Sequence, residues 1–132
     1  MGRSINSRRK GQVGELQLAA KLSSFNHPDG RSVQARRGRQ YSGAPASLGQ
    51  AASEDVVHDI PGIAIECKRV EKFTAAMVYS AIDQCREICG DNAPVVCWRP
   101  SRHDWVAILP LENLLALLGM VPSNTEDKEE NE

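Results

Sequence analysis

Apolar residues return along this chain at two spacings, and the alternation between them divides it into elements. Val13, Leu16, Ala19 and Ala20 recur at helical spacing and predict a helix that starts after Ser7 and runs to about Ser24, with Asn6 or Ser7 as its cap. Asn26 to Gly30 carries turn residues, and Ser32 to Arg37 predicts a strand. Asp55–His58 and Ile63–Val70 read as two further strands, and the turn Asp59-Ile60-Pro61-Gly62 between them predicts a hairpin. Phe73 to Cys89 is the most regular helix. Val78, Ala81, Ile82, Cys85, Ile88 and Cys89 form its apolar stripe, Asp83, Arg86 and Glu87 lie opposite, and Gly90 stops it. Pro94–Trp98 and Trp105–Leu109 predict two strands joined through Arg99 to Asp104, and Leu111–Leu118 predicts a short helix ended by Gly119 and Pro122. Tyr41 to Ser53 is rich in Gly, Ala and Ser without a period, and predicts a loop. The order α-β-β-β-α-β-β-α predicts a mixed α/β domain with helices on the faces of a central sheet.

Length and composition fit that reading. The 132 residues are 41% hydrophobic and 25% charged, which excludes a wholly disordered, collagen-like or disulfide-dense chain. The net charge of −1 conceals a segregation. Residues 1–40 hold nine bases and two acids, whereas residues 124–132 hold five acids and one base. That asymmetry points to nucleic-acid contact at one end and an acidic tail at the other. Residues 1–8 predict a flexible basic arm, 9–122 the folded domain and 123–132 a disordered acidic tail.

No apolar run follows the N-terminal charges, so no signal peptide is expected. The most apolar window, Trp105 to Val121, is interrupted by Pro110, Glu112 and Asn113, so no membrane span is expected and the cytoplasm is the expected location. Cys67, Cys85, Cys89 and Cys97 sit among apolar residues with no C-x-x-C and no matching histidine spacing. They read as reduced, packed thiols rather than zinc ligands.

Candidate chemistry lies in Ile63-Ala64-Ile65-Glu66-Cys67-Lys68. Alternation puts Ile63, Ile65 and Cys67 on one face, expected to be the core face, and Ala64, Glu66 and Lys68 on the other. A hairpin turning at 59–62 brings Asp55 near Glu66 or Lys68. Two carboxylates and a lysine on one sheet face suit metal-assisted phosphodiester hydrolysis. Mg²⁺ needs only one or two carboxylates beside its waters, and an ammonium offsets phosphoryl charge. A solvated Glu–Lys pair is the ordinary alternative for the same spacing. Trp98, Arg99, Arg102, His103 and Trp105 surround the second hairpin, as a DNA clamp or as an ordinary turn.

Several segments together resemble Holliday junction resolvases of the PD-(D/E)XK nuclease superfamily, of phage and archaeal type. Asp55…Glu66-Cys67-Lys68 resembles the superfamily motif, and Lys10-Gly11-Gln12-Val13-Gly14-Glu15 resembles the first-helix motif of the resolvases. Arg36-Arg37-Gly38-Arg39-Gln40-Tyr41-Ser42-Gly43, Ala81-Ile82-Asp83-Gln84 and the closing Pro94–Trp105 region follow in the family's order, so the resemblance covers about residues 9–110. It implies a restriction-endonuclease-like αβββαβ core with a central mixed sheet flanked by helices.

It also implies site residues: Asp55 and Glu66 as metal ligands, the backbone carbonyl of Cys67 as a third, Glu15 as an outer or second-site ligand, Lys68 as the catalytic lysine, and Gln84 steadying it. Asp83 is the rival of Gln84, and Glu54 and Asp59 are further acids beside the motif. Arg8, Arg9, Lys10, Gly11, Arg36, Arg37, Arg39, Gln40, Tyr41 and Arg69 would contact DNA, with Gly11 and Gly14 admitting its backbone. The implied activity is Mg²⁺-dependent resolution of four-way junctions by a homodimer. Mn²⁺ is the expected substitute, with no small-molecule cofactor, in recombination or repair and of plausible phage origin. A nuclease acting on other branched, nicked or linear DNA and a non-catalytic DNA-binding protein of the same fold are the alternatives. Leu111–Val121 and the exposed face of the second hairpin are the candidate dimer surfaces.

Overall fold

The computed structural model describes residues 2–38 and 55–123, with side chains from residue 9 onward. In chain order the elements are α1 (Gly2–Leu22), β1 (Ala35–Arg37), β2 (Val56–His58), β3 (Ile63–Lys68), α2 (Ala75–Cys89), β4 (Ala93–Trp98), β5 (Val106–Ile108) and α3 (Leu111–Leu117). This is the expected element order of a mixed α/β domain. Among the described residues no helix is long and apolar enough to cross a membrane.

β3 and β4 run parallel, with Ile65 opposite Val95 and Glu66 opposite Val96, and β5 returns antiparallel to β4. Parallel neighbours need a long crossover, which α2 provides. Thr74 accepts the Met77 N–H at the N-terminus of α2, which therefore starts two residues later than the apolar stripe alone predicts. Gly90, at φ 58°, ends it.

Both faces of β3 and β4 are covered, as helices on the faces of the sheet require, so the Ala64 side is a second core face beside the one that the alternation in β3 singles out. Ile65, Val95 and Cys97 pack with Leu18 and Ala19 of α1 and with Val56 of β2. On the opposite face Ala64 packs with Cys85 and Cys89, and Val96 with Ala81 and Ile82, all four partners on α2. A strand flanked by helices on both sides reads as a nearly continuous apolar run, and β3 opens to polar chemistry only at Glu66 and Lys68.

The expected hairpin between β2 and β3 is not a paired ladder. Among the described residues β2 pairs antiparallel with β1, and β3–β4–β5 forms a separate sheet. The turn after β2 is drawn aside because the Asp59 carboxylate accepts the Gln34 N–H at 2.9 Å and sits 3.0 Å from Nε2 of buried His27. Asp59 is thus occupied by structure rather than by the candidate site. β1 is also shorter than expected, because Ser32 bridges Asn26 instead of extending the strand.

α1 differs in two ways. Its backbone is helical from Gly2, so the segment expected as a flexible arm is helical over residues 2–8. Once a helix is nucleated, each added residue costs little. Its buried face also shares only Ala19 with the expected one. Val13, Leu16 and Ala20 face outward, and Leu18 and Ala19 are buried, with Glu15 and Leu22 half-buried along the same stripe. Apolar residues spread over more than half of the circumference of this helix, so spacing alone does not select the stripe.

Leu18 is 2% exposed and Leu16 57% exposed. Leu18→Ala is expected to destabilise by about 2–5 kcal/mol in urea denaturation, and Leu16→Ala to stay within about 0.5 kcal/mol. The reverse ranking would mean that α1 packs through the face the periodicity first suggests.

Candidate active site

Asp55 stands immediately before β2, and its Oδ2 accepts the backbone N–H of Cys67 at 2.8 Å. That bond aims a carboxylate at the edge of β3 where β2 diverges from it. In an extended strand the N–H and C=O of one residue leave on the same side, so the Cys67 carbonyl faces the edge that Asp55 occupies.

Glu66 and Lys68 follow on the α2-facing side of β3, with Lys68 Nζ 3.5 Å from Glu66 Oε2. Glu66 is pushed up to about 7, first by burial and then by the negative charge of Asp55, while Lys68 pulls the other way. Glu15 of α1 is raised as well, again first by burial. The hydrogen bond from Arg37 opposes this, and Asp55 adds to it. Three carboxylates from three elements therefore share one electrostatic environment, with Lys68 and Arg37 as the ion-paired cations beside them. Lys68 also lines a cleft of about 410 Å³ with Gln84, Val70, Phe73, Met77 and Ser80, which places Gln84 on the lysine side of the site.

The donor chemistry fits a hard divalent cation. Buried oxygens repelling one another are relieved by an ion that takes carboxylate, carbonyl and water ligands. Asp55, Glu66 and the Cys67 carbonyl would hold it, with Glu15 behind them. Among the described residues no group of three or more His, Cys, Asp or Glu is placed to hold a metal ion, so the fit rests on two carboxylates and a backbone carbonyl. Mg²⁺ sites commonly have only one or two carboxylates and keep several waters.

Asp83, the rival of Gln84, is exposed and paired with Arg86 at 3.6 Å. Among the described residues none of Cys67, Cys85, Cys89 and Cys97 is in a disulfide, and the Cys85 thiol donates to the Ala64 carbonyl at 3.5 Å. Burial raises the thiols of Cys67 and Cys97, the latter to about 11, so they are poor thiolate ligands.

Among the residues expected to contact DNA, Arg9 and Arg36 are exposed, and Gly11 has open space beside its Cα. Arg37 instead donates to Glu15 at 2.8 Å, and Lys10 pairs with Glu71 at 2.9 Å. Arg69 is turned inward: a Cβ on Gly14 would stand 2.6 Å from the Arg69 Cβ, so the glycine admits this side chain rather than a DNA backbone. Arg8 has no described side chain, and Arg39, Gln40, Tyr41 and Glu54 lie outside the described residues, as does the tail beyond Ser123.

At the second hairpin, the Trp98 indole donates to the Val70 carbonyl at 2.8 Å and lies 5.3 Å from the Phe73 ring. Trp105 packs on the α1-side core, while Arg102 and His103 are exposed. Arg99 donates to the His103 carbonyl and to Gln17.

Sequence spacing did not single out Glu71. Its carboxylate accepts the Ser101 N–H, the Ser101 hydroxyl and the Lys10 ammonium, which hold it down at about 2. All three groups lie thirty or more residues away, beyond any local pattern.

The described fold is similar to Hjc, a Holliday junction resolvase from the archaeal hyperthermophile Archaeoglobus fulgidus. The TM-score is 0.44, the identity 18%, and the match covers 74% of this chain and 73% of that one. No protein-family model and no curated protein sequence matches the chain.

The raised Glu66 gives a signed expectation. Its folded value near 7 lies above the ordinary 4.5, so between those values the folded state holds more protons than the unfolded one. Stability of the metal-free protein therefore falls as pH rises from about 4.5 to 7. Glu66→Gln removes that loss. The variant is expected to exceed the parent at pH 8 by on the order of 3 kcal/mol, and the gain should vanish near pH 4.5 in parallel urea titrations. An equal gain at both pH values would place Glu66 in a solvated setting.

Proposed function

We propose that this chain is a divalent-metal-dependent DNA endonuclease that resolves four-way junctions. The observation that carries the reading is the Asp55 carboxylate fixed on the Cys67 N–H, beside a half-buried Glu66 that feels its charge and has Lys68 at 3.5 Å. Bound at Asp55, Glu66 and the Cys67 carbonyl, Mg²⁺ would supply Lewis acidity toward a phosphoryl oxygen and acidify a water.

The chain's own residues do the rest. Lys68 presents its ammonium to the phosphate, offsetting the charge that builds there, and Glu66 keeps that ammonium at the edge of the site. Gln84, lining the same cleft, orients groups around the lysine. Glu15 holds negative charge behind the ligands, and its hydrogen bond with Arg37 fixes its rotamer. Exposed Arg9 and Arg36 meet phosphates.

Paired nicks on a near-two-fold junction call for two sites in fixed relation, and a second copy of this chain would supply the second. α3 is the surface we assign to that contact. None of its residues is buried, and Leu111, Leu114, Leu115, Leu117, Leu118 and Met120 leave an apolar face with Glu112 as the only charge in the helix. Such a face is larger than scattered surface leucines explain.

With Mg²⁺, symmetric nicks confined to a labelled four-way junction are the expected products, and linear duplex should remain intact. Equal cutting of linear duplex would assign the site to another DNA. Tight binding without cutting would assign a binding module. Glu66→Ala and Lys68→Ala should each lower cleavage at least about a hundred-fold while changing junction affinity less than about three-fold. Full activity in either variant would overturn the site. Mg²⁺ should bind more weakly at pH 6 than at pH 8, because the proton on Glu66 must leave first.

The oligomer has its own test. Sedimentation should give a dimer for the parent and a monomer for Leu118→Glu. A monomeric parent would remove the second copy.

A further inference from the structure

Lys10, Gly14 and Gln17 lie along one stripe of α1, at spacings of four and three residues. Each meets the chain just after β3 or just after β4. Lys10 pairs with Glu71 at 2.9 Å. Gly14 receives the stem of Arg69. Gln17 accepts from Arg99 at 3.2 Å. Arg69 then donates to Glu71, to the Arg99 carbonyl and to the Ser101 hydroxyl, at 3.3, 3.2 and 3.5 Å. Glu71 closes the set by accepting the Ser101 N–H at 2.8 Å and its hydroxyl at 2.6 Å.

The placement of this network relative to the site is specific. Gly14 directly precedes Glu15, and Arg69 directly follows Lys68. The contact between Gly14 and Arg69 therefore fixes the neighbours of both residues at once. Beside it, the Lys10–Glu71 pair ties α1 to the same outgoing segment of β3, while the Arg37–Glu15 pair ties α1 to β1. A glycine is needed because any Cβ at position 14 would meet backbone-proximal carbons of Arg69 rather than a flexible tip.

We infer that Arg69 and Glu71 are positioning residues for the candidate active site. They latch α1 onto the outgoing end of β3 and thereby hold Glu15 in register with Glu66 and Lys68. The inference rests on the nuclease reading. It also takes Arg69 out of the DNA surface, because its side chain is only 13% exposed and its guanidinium is committed within the chain. Loss of such outer support typically lowers metal affinity or activity about ten- to a hundred-fold.

The test uses the full chain, with Mn²⁺ alone as the metal probe read by electron paramagnetic resonance, and a four-way junction as substrate. Arg69→Ala is expected to weaken Mn²⁺ binding about ten-fold and to lower kcat about ten-fold or more. KM, metal-free junction affinity and its salt slope should stay within about two-fold of the parent. Its effect on kcat should be absent in a Glu15→Ala background, since the latch acts through Glu15. Gly14→Ala should reproduce the pattern. Where Arg69→Ala fails to fold, Glu71→Gln serves, with a loss of about three-fold or more in both Mn²⁺ affinity and kcat and the same dependence on Glu15.

Arg69→Ala that lowers junction affinity, with a salt slope reduced by about one and Mn²⁺ binding unchanged, would make Arg69 a phosphate contact and overturn the latch. Losses that add to those of Glu15→Ala would also overturn it. A parent protein that neither binds Mn²⁺ nor cuts any DNA would instead remove the nuclease reading and the latch with it. A parent that does both leaves the variants to decide the latch alone.

Discussion

The hydrogen bond from the Cys67 N–H to the Asp55 carboxylate is the constraint on which the site depends. β2 belongs to the ribbon with β1, and β3 to the sheet with β4 and β5, so no ladder holds the two strands in register. A side-chain carboxylate takes the place of the missing ladder bond at the point of divergence. It satisfies a backbone donor that would otherwise be costly inside the domain. It also leaves the second oxygen and the neighbouring carbonyl directed at the same gap. The same bond that completes the fold thus prepares an oxygen-rich corner.

Burial gives that corner its chemistry. α1 covers one face of β3 and α2 the other, so Glu66 sits where its charge is poorly solvated and repelled by Asp55. Lys68 compensates only in part, at 3.5 Å. A carboxylate held near 7 is on the edge between proton and cation. A divalent ion would replace the proton and relieve the repulsion together. The strain resides in the carboxylates rather than in the thiols: raised values at Cys67 and Cys97 simply keep those side chains neutral and packed.

Much of this was legible from residue order. The α2 stripe and the β4 and β5 runs persist in the structure, because each is set by local period. The second core face of β3 was not legible in its own alternation, since Glu66 and Lys68 look like an outward face until α2 is docked. The buried stripe of α1 was misjudged because Val13, Leu16 and Leu18 are equally apolar and only the partner surface chooses among them. The β2–β3 hairpin failed for a different reason. Asp59 is a turn residue in sequence, but in space it is captured by Gln34 and His27, twenty-five and thirty-two positions away.

Those contacts also change what the N-terminal charge means. Nine bases among the first forty residues look like a polyanion-binding surface. Yet Lys10, Arg37 and Arg31 are each tied to a carboxylate of the same chain, and Arg69, expected to join them on DNA, is half-buried against Gly14. The cations therefore do two kinds of work. Those facing Glu15 and Glu71 hold acidic groups in place around the site, where an unpaired carboxylate would drift or protonate. Those left exposed, Arg9, Lys21 and Arg36 among the described residues, would supply any long-range attraction for a polyanion. Counting basic residues overstates the positive surface open to a partner. What limits it is the number of cations that the site's own carboxylates do not already hold.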